Sequence, residues 1–283
     1  MEHEQPAEIR TVAILGLGLI GGSLARDLHA RGIRVLGWDR DAASLAAALA
    51  DGVVHPLADD LADVQQADVV VLAIPVGTAV ERLRELAPRL GGVRLITDVG
   101  STKTSIVRAA EAAGLGPRFV GSHPLAGDHR SGWAASRTGL FADARVFLCP
   151  ARRASEAALD LARGLWIRVG ARPEEIDPDL HDVRLAWTSH LPQVVSTAVA
   201  LTILQTGTRR AELGTGGRDV TRLAGSDPEM WADILVDNAD ALSSALAMMS
   251  ARLGLLHDAV ARRDRDEIRR LFAEARAWHG QAP

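Results

Sequence analysis

The sequence has little of what marks secreted, membrane-spanning or nucleic-acid-binding proteins. Its 283 residues contain a single cysteine, Cys149, so no disulfide bond can form within the chain. No apolar run approaches the length that crosses a bilayer, and the polar first ten residues do not resemble a secretory signal. The net charge of −4 gives no basic surface for nucleic acid. We therefore expect a cytoplasmic protein that binds neither nucleic acid nor membranes.

The first half of the sequence alternates short apolar runs with alanine-rich helical stretches. Nearly continuous runs of valine, isoleucine and leucine are typical of parallel strands that are buried on both faces. The predicted strands are Thr11–Leu15, Arg34–Trp38, Asp68–Ile74, Val93–Thr97, Phe119–Gly121 and Arg145–Leu148. The helical segments between them include Gly22–Ala30, Ala42–Leu49 and Thr78–Ala87. This alternation predicts an α/β fold with a doubly wound, mostly parallel sheet.

The pattern changes near residue 177, after which strand-like runs disappear. Pro173 and Pro178 mark the change, so we predict one domain over residues 1–177 and an all-helical domain over residues 178–283. Within the helical half, Met230–Val260 carries apolar residues at helical spacing. Because so small a helical domain has little core of its own, we expect much of this stripe to pack against a second copy of the chain in a homodimer.

A glycine-rich segment, Gly16-Leu17-Gly18-Leu19-Ile20-Gly21, joins the first predicted strand to the first predicted helix. In this position Gly16 permits a tight turn, Gly18 lets a pyrophosphate approach the backbone, and Gly21 lets helix and strand pack closely. The unpaired N–H groups at the start of the helix also attract phosphate. The segment therefore predicts a dinucleotide site.

Asp39 ends the second predicted strand, 18 positions after Gly21. That is close to the spacing of a carboxylate that binds the ribose 2′-hydroxyl group. Such a carboxylate repels a 2′-phosphate, so the sequence favours NAD over NADP, although Arg40 softens that preference. The alternative is a glycine turn that binds nothing, with Asp39 as a helix cap. The predicted cofactor contacts are Gly16, Gly18, Leu19, Ile20, Gly21, Asp39, Arg40, Ile74 and Pro75.

Polar residues follow two further predicted strands, at the edge where an open α/β sheet binds its ligands. Ser101 lies between a strand and a helix, and His123 follows the next strand, between small residues and a proline. Each has a structural alternative, Ser101 as a helix N-cap and His123 as an ordinary loop residue. In the helical half, His190 and Gln193 share one face. The histidines lack the spacing of metal ligands, so we predict no metal site.

Arg218 and Arg222 are four residues apart, so on one helix they point in the same direction. Two neighbouring guanidinium groups repel each other unless an anion lies between them, and arginine binds carboxylates bidentately. The pair therefore indicates a carboxylated substrate. The alternative is a surface pair that is neutralised by Asp219 or by solvent.

Five segments, in sequence order and over nearly the whole chain, resemble the prephenate/arogenate dehydrogenase family of tyrosine biosynthesis. They are the glycine motif at 16–21, Asp-Val-Gly-Ser-Thr-Lys at 98–103, Gly-Ser-His-Pro-Leu-Ala-Gly at 121–127, Ser-His-Leu-Pro at 189–192, and the stretch from Arg218-Asp219-Val220-Thr221-Arg222 through Ser226-Asp227-Pro228 to Trp231. The resemblance implies a Rossmann domain joined to an all-helical dimerisation domain. It also implies an NAD-dependent oxidative decarboxylation of a cyclohexadienol.

The same resemblance implies roles for individual residues. His123 accepts the proton of the C4 hydroxyl group while hydride passes to the nicotinamide, and Ser101 holds that hydroxyl group. Arg222 binds the ring carboxylate. The predicted catalytic residues are His123 and Ser101, and the predicted substrate-binding residues are Arg222, Arg218, His190, Gln193 and His129.

Two departures from the family pattern leave the choice of substrate open. Gln193 follows Ser-His-Leu-Pro where many prephenate-using members have histidine, and Asp128 and His129 stand where members often have glutamate. In the family both positions lie near the substrate side chain, where a pyruvyl group must be told from an alanyl group. Our main interpretation is a prephenate dehydrogenase, and the alternative is an arogenate dehydrogenase.

Two rival functions share the same layout. A β-hydroxyacid dehydrogenase or imine reductase typically has a lysine or aspartate in the helical half near the cofactor, but Lys103 is the only lysine in the sequence. A non-catalytic protein that senses the NAD/NADH ratio would need the glycine motif and Asp39 but neither His123 nor Arg222. Steady-state turnover separates that protein from an enzyme.

Overall fold

The computed structural model describes residues 8–58, 62–127 and 130–281. Five strands of the N-terminal half form a parallel sheet: β1 (Thr11–Leu15), β2 (Arg34–Trp38), β3 (His55–Pro56), β4 (Val69–Leu72) and β5 (Leu95–Asp98). They lie side by side in the order β3-β2-β1-β4-β5. Because the order reverses between β1 and β4, a crevice opens at the carboxyl ends of these two strands, where folds of this kind bind ligands.

A second, three-stranded sheet continues from the first. It consists of β6 (Val120–Pro124), β7 (Arg145–Pro150) and β8 (Arg172–Glu175), with β7 antiparallel to β6 and parallel to β8. A parallel bridge between Ile96 and Phe119 places β6 beside β5. In this register His123 lies opposite Phe147, and Phe147 lies opposite Glu174, so these three residues form a row across the sheet.

Helices surround the sheets and make up the C-terminal half. In the N-terminal half they are α1 (Leu19–His29), α2 (Ala42–Ala50), α3 (Val76–Leu86), α4 (Thr104–Ala112) and α5 (Glu156–Arg168). The C-terminal half has α6 (Pro178–Leu185), α7 (Leu191–Leu204), α8 (Thr215–Val220), α9 (Pro228–Asp237), α10 (Ala239–Ala261) and α11 (Arg265–His279). None of the helices in the described ranges is long and apolar enough to span a membrane.

The core lies on both faces of the parallel sheet. Along β1, Val12 and Ile14 pack into one apolar cluster with α1 and α5, whereas Ala13 and Leu15 pack into another with α3 and α4. Every residue of β4 is buried. Burial on both faces explains why these strands are continuous apolar runs in the sequence. The predicted doubly wound α/β fold is therefore confirmed.

A π-helical turn, Ala186–His190, joins α6 to α7, and Pro192 occupies the first turn of α7. Proline has no N–H group and its ring displaces the carbonyl one turn earlier, so a regular α-helix cannot continue through this position. The helix therefore restarts as α7 directly after the π-helical turn. Such single π turns are frequent at functional sites, and His190 lies at the end of this one.

The structure differs from the sequence-based expectation at several elements. β3 (His55–Pro56) was not predicted, and β6 continues to Pro124, so His123 lies within the strand and does not follow it. β8 lies in Arg172–Glu175, which the sequence analysis interprets only as the boundary between domains. Its side chains are mostly exposed because it is an edge strand, so it carries no apolar pattern. The expectation that Arg218 and Arg222 share a helix is also wrong. α8 contains two glycines, which are poor helix formers, and it ends at Val220, whereas Arg222 begins a separate 3₁₀ turn.

Candidate active site

The glycine-rich loop between β1 and α1 requires glycine at two of its positions. Gly16 has a φ of +99°, and a Cβ atom there would lie 2.2 Å from the carbonyl oxygen of Ala73. A Cβ atom at Gly21 would lie 2.0 Å from the carbonyl oxygen of Gly16, so α1 packs directly on the loop. At Gly18, by contrast, no described atom comes within 4 Å of the Cβ position. The loop therefore has open space at Gly18, and this space fits a pyrophosphate group.

The start of α1 supplies hydrogen-bond donors to the same space. α1 begins at Leu19, and Gly18 has no side chain that caps the helix. The N–H groups of the first turn, at Leu19 and Ile20, have no partner within the helix and point along its axis toward the N-terminus. Together with the helix dipole they favour an anion at this position.

Asp39 fixes the glycine loop from the end of β2. Its Oδ2 accepts a hydrogen bond from the N–H group of Leu17 (2.6 Å), and its Oδ1 accepts one from the N–H group of Asp41 (2.8 Å). The side chain is half-buried, and a carboxylate accepts about four hydrogen bonds in total. Asp39 can therefore hold the loop and still accept a hydrogen bond from a ribose hydroxyl group.

The other predicted cofactor residues lie around this loop. Ile74 follows β4 and contacts the loop, since its Cγ2 is 2.9 Å from the Cβ position of Gly16. Pro75 is exposed and precedes the first turn of α3. Arg40 is exposed beside Asp39. The structure thus brings the glycine loop, Asp39 and Ile74 together, with Arg40 and Pro75 at the rim.

A cavity of about 370 Å³ lies between the carboxyl ends of β5 and β6 and the helical half. Its walls include both predicted catalytic residues, Ser101 and His123, and the predicted substrate-binding residue His190. The other described residues that line it are Leu125, Arg145, Phe147, Arg184, Leu185, Thr188, Ser189, Met230, Trp231 and Ile234. This cavity is the candidate substrate site.

A chain of hydrogen bonds leads from His123 into the protein interior. The Nδ1 atom of His123 lies 2.9 Å from Nε2 of His181, and Nδ1 of His181 lies 2.8 Å from Oδ1 of Asp182. Asp182 also accepts hydrogen bonds from the backbone N–H groups of Lys103 and Thr104, both at 2.8 Å. The side chains of His123, His181 and Asp182 are all buried.

This arrangement determines which nitrogen of each ring carries a proton. Burial raises the pKa of Asp182, but the hydrogen bonds from His181 and from the two backbone N–H groups outweigh it, so the pKa lies below its ordinary value. The ionised Asp182 can only accept, and His181 therefore donates from Nδ1 and accepts at Nε2. His123 must then donate from Nδ1. Its Nε2 is left as a hydrogen-bond acceptor, with no partner among the described residues.

The pKa of His123 lies well below its ordinary value of 6.5. Burial is the largest cause, and the positive charges that His181 and Lys103 can carry add to it. Burial also lowers the pKa of His181, against the opposing effect of the hydrogen bond to Asp182. Both rings are therefore neutral at pH 7, which is the state that a proton acceptor needs.

His190 differs from His123 in which ring nitrogen carries the proton. Burial lowers its pKa to about 4, so this ring is also neutral at pH 7. The side-chain N–H₂ group of Asn238 donates to the backbone carbonyl of Asp182 (2.8 Å) and lies 3.0 Å from Nδ1 of His190. Because the amide nitrogen donates, Nδ1 of His190 accepts and Nε2 carries the proton. The cavity thus has one imidazole that accepts a hydrogen bond, His123, and one that donates, His190.

A buried ion pair holds the loop that carries Ser101. Lys103 and Asp98 are both fully buried, and the ammonium group contacts Oδ2 of Asp98 directly. Asp98 also accepts hydrogen bonds from the N–H groups of Gly100 (2.8 Å) and Ser122 (3.2 Å). These contacts connect β5, the loop of residues 99–103 and β6, and they fix Ser101 and His123 relative to each other. The two side chains line the same cavity but do not bond to each other directly in the described structure.

Three predicted substrate-binding residues that the structure describes, Arg222, Arg218 and Gln193, are not part of this cavity wall. Arg222 and Arg218 are exposed, and Arg218 makes only a long contact to the carbonyl of Ala211 (3.4 Å) among the described bonds. Gln193 is buried and donates to the carbonyl of Leu223 (2.8 Å), so it supports the turn that contains Arg222. His129 lies outside the described residues.

No sequence pattern predicts a role for His181, Asp182 or Asn238. An adjacent histidine and aspartate at the start of a helix is a visible signal, but its partner His123 is 58 residues away in the chain. Only the packing of α6 against β7 brings them together. Asn238 lies in the short break between α9 and α10, a position that a sequence pattern identifies as a helix end and nothing more.

Comparison with known proteins agrees with this architecture. Residues 24–175 match the family model described as prephenate dehydrogenase, nucleotide-binding domain, and residues 177–274 match prephenate dehydrogenase, dimerization domain. A prephenate dehydrogenase from Bacillus subtilis is 34% identical over 286 residues, which cover 96% of this chain and 76% of that protein.

Two solved structures share the fold over almost the full length of both chains. The prephenate dehydrogenase from A. aeolicus, in complex with hydroxyphenyl propionate and NAD+, superposes with a TM-score of 0.87 at 31% identity and covers 97% of this chain and 99% of its own. The arogenate dehydrogenase from Synechocystis superposes with a TM-score of 0.81 at 29% identity, covering 95% and 98%. Since both halves of the sequence match in this way, the chain belongs to the prephenate dehydrogenase family.

Proposed function

We propose that this chain catalyses the NAD-dependent oxidative decarboxylation of prephenate to 4-hydroxyphenylpyruvate in tyrosine biosynthesis. The observation that carries the proposal is the neutral imidazole of His123, which presents an unprotonated Nε2 at the wall of a cavity beside a dinucleotide loop. The names of the B. subtilis and A. aeolicus relatives support the same activity. Because NAD-linked biosynthesis takes place inside the cell, the proposed location is the cytoplasm.

In this proposal His123 accepts the proton of the C4 hydroxyl group at Nε2. Loss of hydride from C4 makes that proton strongly acidic, so a base of low pKa is sufficient. The charge that develops on the His123 ring is stabilised by its Nδ1–H bond to His181 and, through His181, by the carboxylate of Asp182. Ser101, which lines the same cavity, holds the same hydroxyl group, and the N–H group of His190 offers a second donor there.

The cofactor is assigned to the residues around the glycine loop. Gly16, Gly18 and Gly21, with the first N–H groups of α1, hold the pyrophosphate, and Asp39 accepts from the ribose hydroxyl groups and disfavours NADP. When bound, NAD accepts the hydride from C4 of the substrate. The remaining proposed contacts around the nucleotide are Leu19, Ile20, Arg40, Ile74 and Pro75.

The ring carboxylate is assigned to Arg222. The support is the family resemblance of the stretch from Arg218 to Trp231, whose last residue lines the cavity. Arg218, Gln193 and His129 remain proposed substrate contacts on the same basis. Loss of this carboxylate as carbon dioxide makes the ring aromatic, which drives the reaction, so the protein has mainly to position the hydroxyl group against the nicotinamide.

We also propose that the active form is a homodimer joined through the helical half. Large apolar side chains are exposed along these helices, including Leu204 (67%), Val236 (77%) and Phe272 (67%). Exposed apolar surface of this extent marks an interaction site. The match of residues 177–274 to a dimerization domain supports the same conclusion.

The test is turnover by the wild-type protein. NADH formation is followed by absorbance with prephenate and with arogenate in parallel, and the products are identified by chromatography. The proposal predicts turnover of prephenate with release of 4-hydroxyphenylpyruvate. Turnover of arogenate alone would identify the alternative activity, that of an arogenate dehydrogenase, which is the name of the Synechocystis relative. No turnover of either substrate would overturn the proposal.

A further inference from the structure

Two arginines face the candidate substrate cavity around one buried phenylalanine. The guanidinium carbon of Arg145 lies 5.1 Å from the ring centroid of Phe147, and that of Arg184 lies 5.5 Å from it. Both arginines bind Glu174, with Nη2 of Arg145 2.5 Å from Oε2 and Nη1 of Arg184 3.4 Å from Oε1. The carboxylate of Glu174 therefore holds the guanidinium groups of both arginines against the ring of Phe147. We call Arg145, Arg184 and Glu174 the arginine cluster.

The sheet register places this cluster beside His123. Arg145 lies two residues along β7 from Phe147, which pairs with His123, so the Cα atoms of Arg145 and His123 are diagonal neighbours about 7–8 Å apart. Glu174 continues the same row on β8. α6 packs on this face of the sheet and carries both His181, which bonds to His123, and Arg184, one turn later. The two elements that carry the arginines, β7 and α6, are therefore also the elements that contact His123 on β6.

The arginine cluster makes the cavity wall electropositive. Among the described lining residues there are two arginines but neither aspartate nor glutamate, and Glu174 balances only one of the two positive charges. The side chains of Arg145 and Arg184 are 52% and 47% exposed, and each retains N–H donors that its bonds to Glu174 do not use. Such an arrangement is suited to a carboxylate, which arginine binds in a bidentate manner.

The shape of the substrate determines which carboxylate is involved. When the C4 hydroxyl group of a cyclohexadienol bonds to Nε2 of His123, both groups on C1 lie at the opposite end of the ring. One is the ring carboxylate, and the other is a three-carbon side chain that ends in a second carboxylate. The longer side chain reaches farther from His123, toward Arg145, which lies diagonally across from His123 on β7.

We propose that Arg145 and Arg184 bind the carboxylate of the substrate side chain and that Glu174 positions both guanidinium groups. The inference rests on the proposed function of the same cavity. It also identifies a source of selectivity, since an alanyl side chain carries an ammonium group next to this carboxylate. Two guanidinium groups repel that ammonium group, and Glu174 is already engaged by both of them. A pyruvyl side chain carries no such charge, so the arginine cluster favours prephenate over arogenate.

The first experiment isolates the side-chain carboxylate with two product analogues. 3-(4-Hydroxyphenyl)propionate retains this carboxylate but has no ring carboxylate, and its amide has neither negative charge. Both are measured as competitive inhibitors against prephenate in the wild-type enzyme, Arg145→Met, Arg184→Met and Arg184→Lys. We expect the wild-type enzyme to bind the acid about 10- to 100-fold more tightly than the amide, as charge-assisted hydrogen bonds require. Each methionine variant should lose most of this ratio, and Arg184→Lys should retain part of it.

The matched control is Arg163→Met. Arg163 binds Glu175, the neighbour of Glu174 that points to the opposite face of β8, and it does not line the cavity. This variant should retain the wild-type ratio of acid to amide. Circular dichroism confirms that each variant is folded, and Arg184→Met, on an exposed helix surface, provides the result if Arg145→Met does not fold. An unchanged ratio in the folded methionine variants would overturn the inference.

The kinetic constants give a second readout. The KM for prephenate should rise about 10-fold or more in the methionine variants while kcat changes little. The reason is that these variants lose a contact that binds the substrate equally well in the ground state and in the transition state. The ratio of kcat/KM for prephenate to that for arogenate should fall in the same variants. A wild-type enzyme that prefers arogenate would contradict the proposed selectivity. A wild-type enzyme that turns over neither substrate would instead contradict the proposed function, so the two failures are distinguishable.

Discussion

At the scale of single residues, the candidate site depends on where protons lie among three buried imidazole rings. Asp182 is the origin of the pattern, because its carboxylate accepts from two backbone N–H groups and from His181. Because His181 donates to Asp182, it accepts from Nδ1 of His123, and Nε2 of His123 is left without a proton at the cavity wall. His190 is held in the complementary state by Asn238. The ionised carboxylate of Asp182 thus determines, through His181, that Nε2 of His123 carries no proton.

Replacement of Asp182 tests this chain of bonds. Asp182→Asn removes the negative charge, and its amide nitrogen must face the backbone N–H group of Lys103 or of Thr104, so the acceptor that orients His181 is lost or weakened. We expect kcat to fall about 100-fold or more. The control is Asp179→Asn on the same helix, where an exposed ion pair to Arg108 is worth little, so kcat should stay within about two-fold of wild type. Full activity in a folded Asp182→Asn variant would show that the chain of bonds does not set the tautomer of His123.

The pKa of His123 determines the acid limb of the pH profile. A histidine base acts only when it is neutral, and burial holds the pKa of His123 well below 6.5 in the folded protein. Lowering the pH therefore leaves kcat/KM unchanged through 6.5, and activity falls only when the pH passes through the lowered pKa. The measurement is kcat/KM for prephenate between about pH 4 and 8 in buffers of constant ionic strength. A decline centred at or above 6.5 would contradict the assigned environment of His123.

At the scale of elements, the sequence predicts what local pattern determines and misses what packing determines. β1 and β2 have the predicted bounds because both are continuous apolar runs between clear turn residues. β8 was not predicted, since an exposed edge strand has no burial pattern to read. The same limit applies to the site. The glycine loop follows from its place after β1, and His123 from its place near the carboxyl end of β6. The His181–Asp182 pair and the arginine cluster depend on how α6 packs on β7.

The glycine loop offers a matched pair of variants within one element. A Cβ atom fits at Gly18 but collides with the backbone at Gly16, where the positive φ adds strain. Gly18→Val should therefore fold, with NAD affinity at least about 10-fold weaker because the side chain fills the space of the pyrophosphate. Gly16→Ala should lose at least about 2 kcal/mol of unfolding free energy. Calorimetric titration with NAD and thermal unfolding measure both effects, and normal NAD affinity in Gly18→Val would place the pyrophosphate elsewhere.

At the scale of the whole molecule, the two halves of the chain contribute to one site and differ in how they are stabilised. The N-terminal half encloses two apolar clusters around its sheet. The helical half closes the candidate cavity with His190 and Trp231, yet it leaves Leu201 and Phe272 exposed on its outer helices. The apolar stripe in the sequence of Met230–Val260 indicates this second surface. Where a partner packs on it cannot be obtained from one chain's pattern, because both its buried and its partner-facing residues are apolar.

The exposed apolar surface predicts self-association. Sedimentation equilibrium at micromolar protein should give a mass about twice the 30.1 kDa of one chain. Because burial of apolar area stabilises such an interface, Phe272→Asp combined with Leu204→Asp should shift the protein toward the single-chain mass. A wild-type protein with the single-chain mass at this concentration would contradict the proposed homodimer.

The His123→Asn variant tests whether His123 is the base of a prephenate dehydrogenase. Asparagine is close in size and polar but cannot accept a proton from the substrate hydroxyl group. With NAD and prephenate at saturation, we predict that kcat falls about 100-fold or more relative to wild type, while the affinity for NAD is unchanged. A variant that binds NAD normally and retains wild-type turnover of prephenate would show that His123 is not the base.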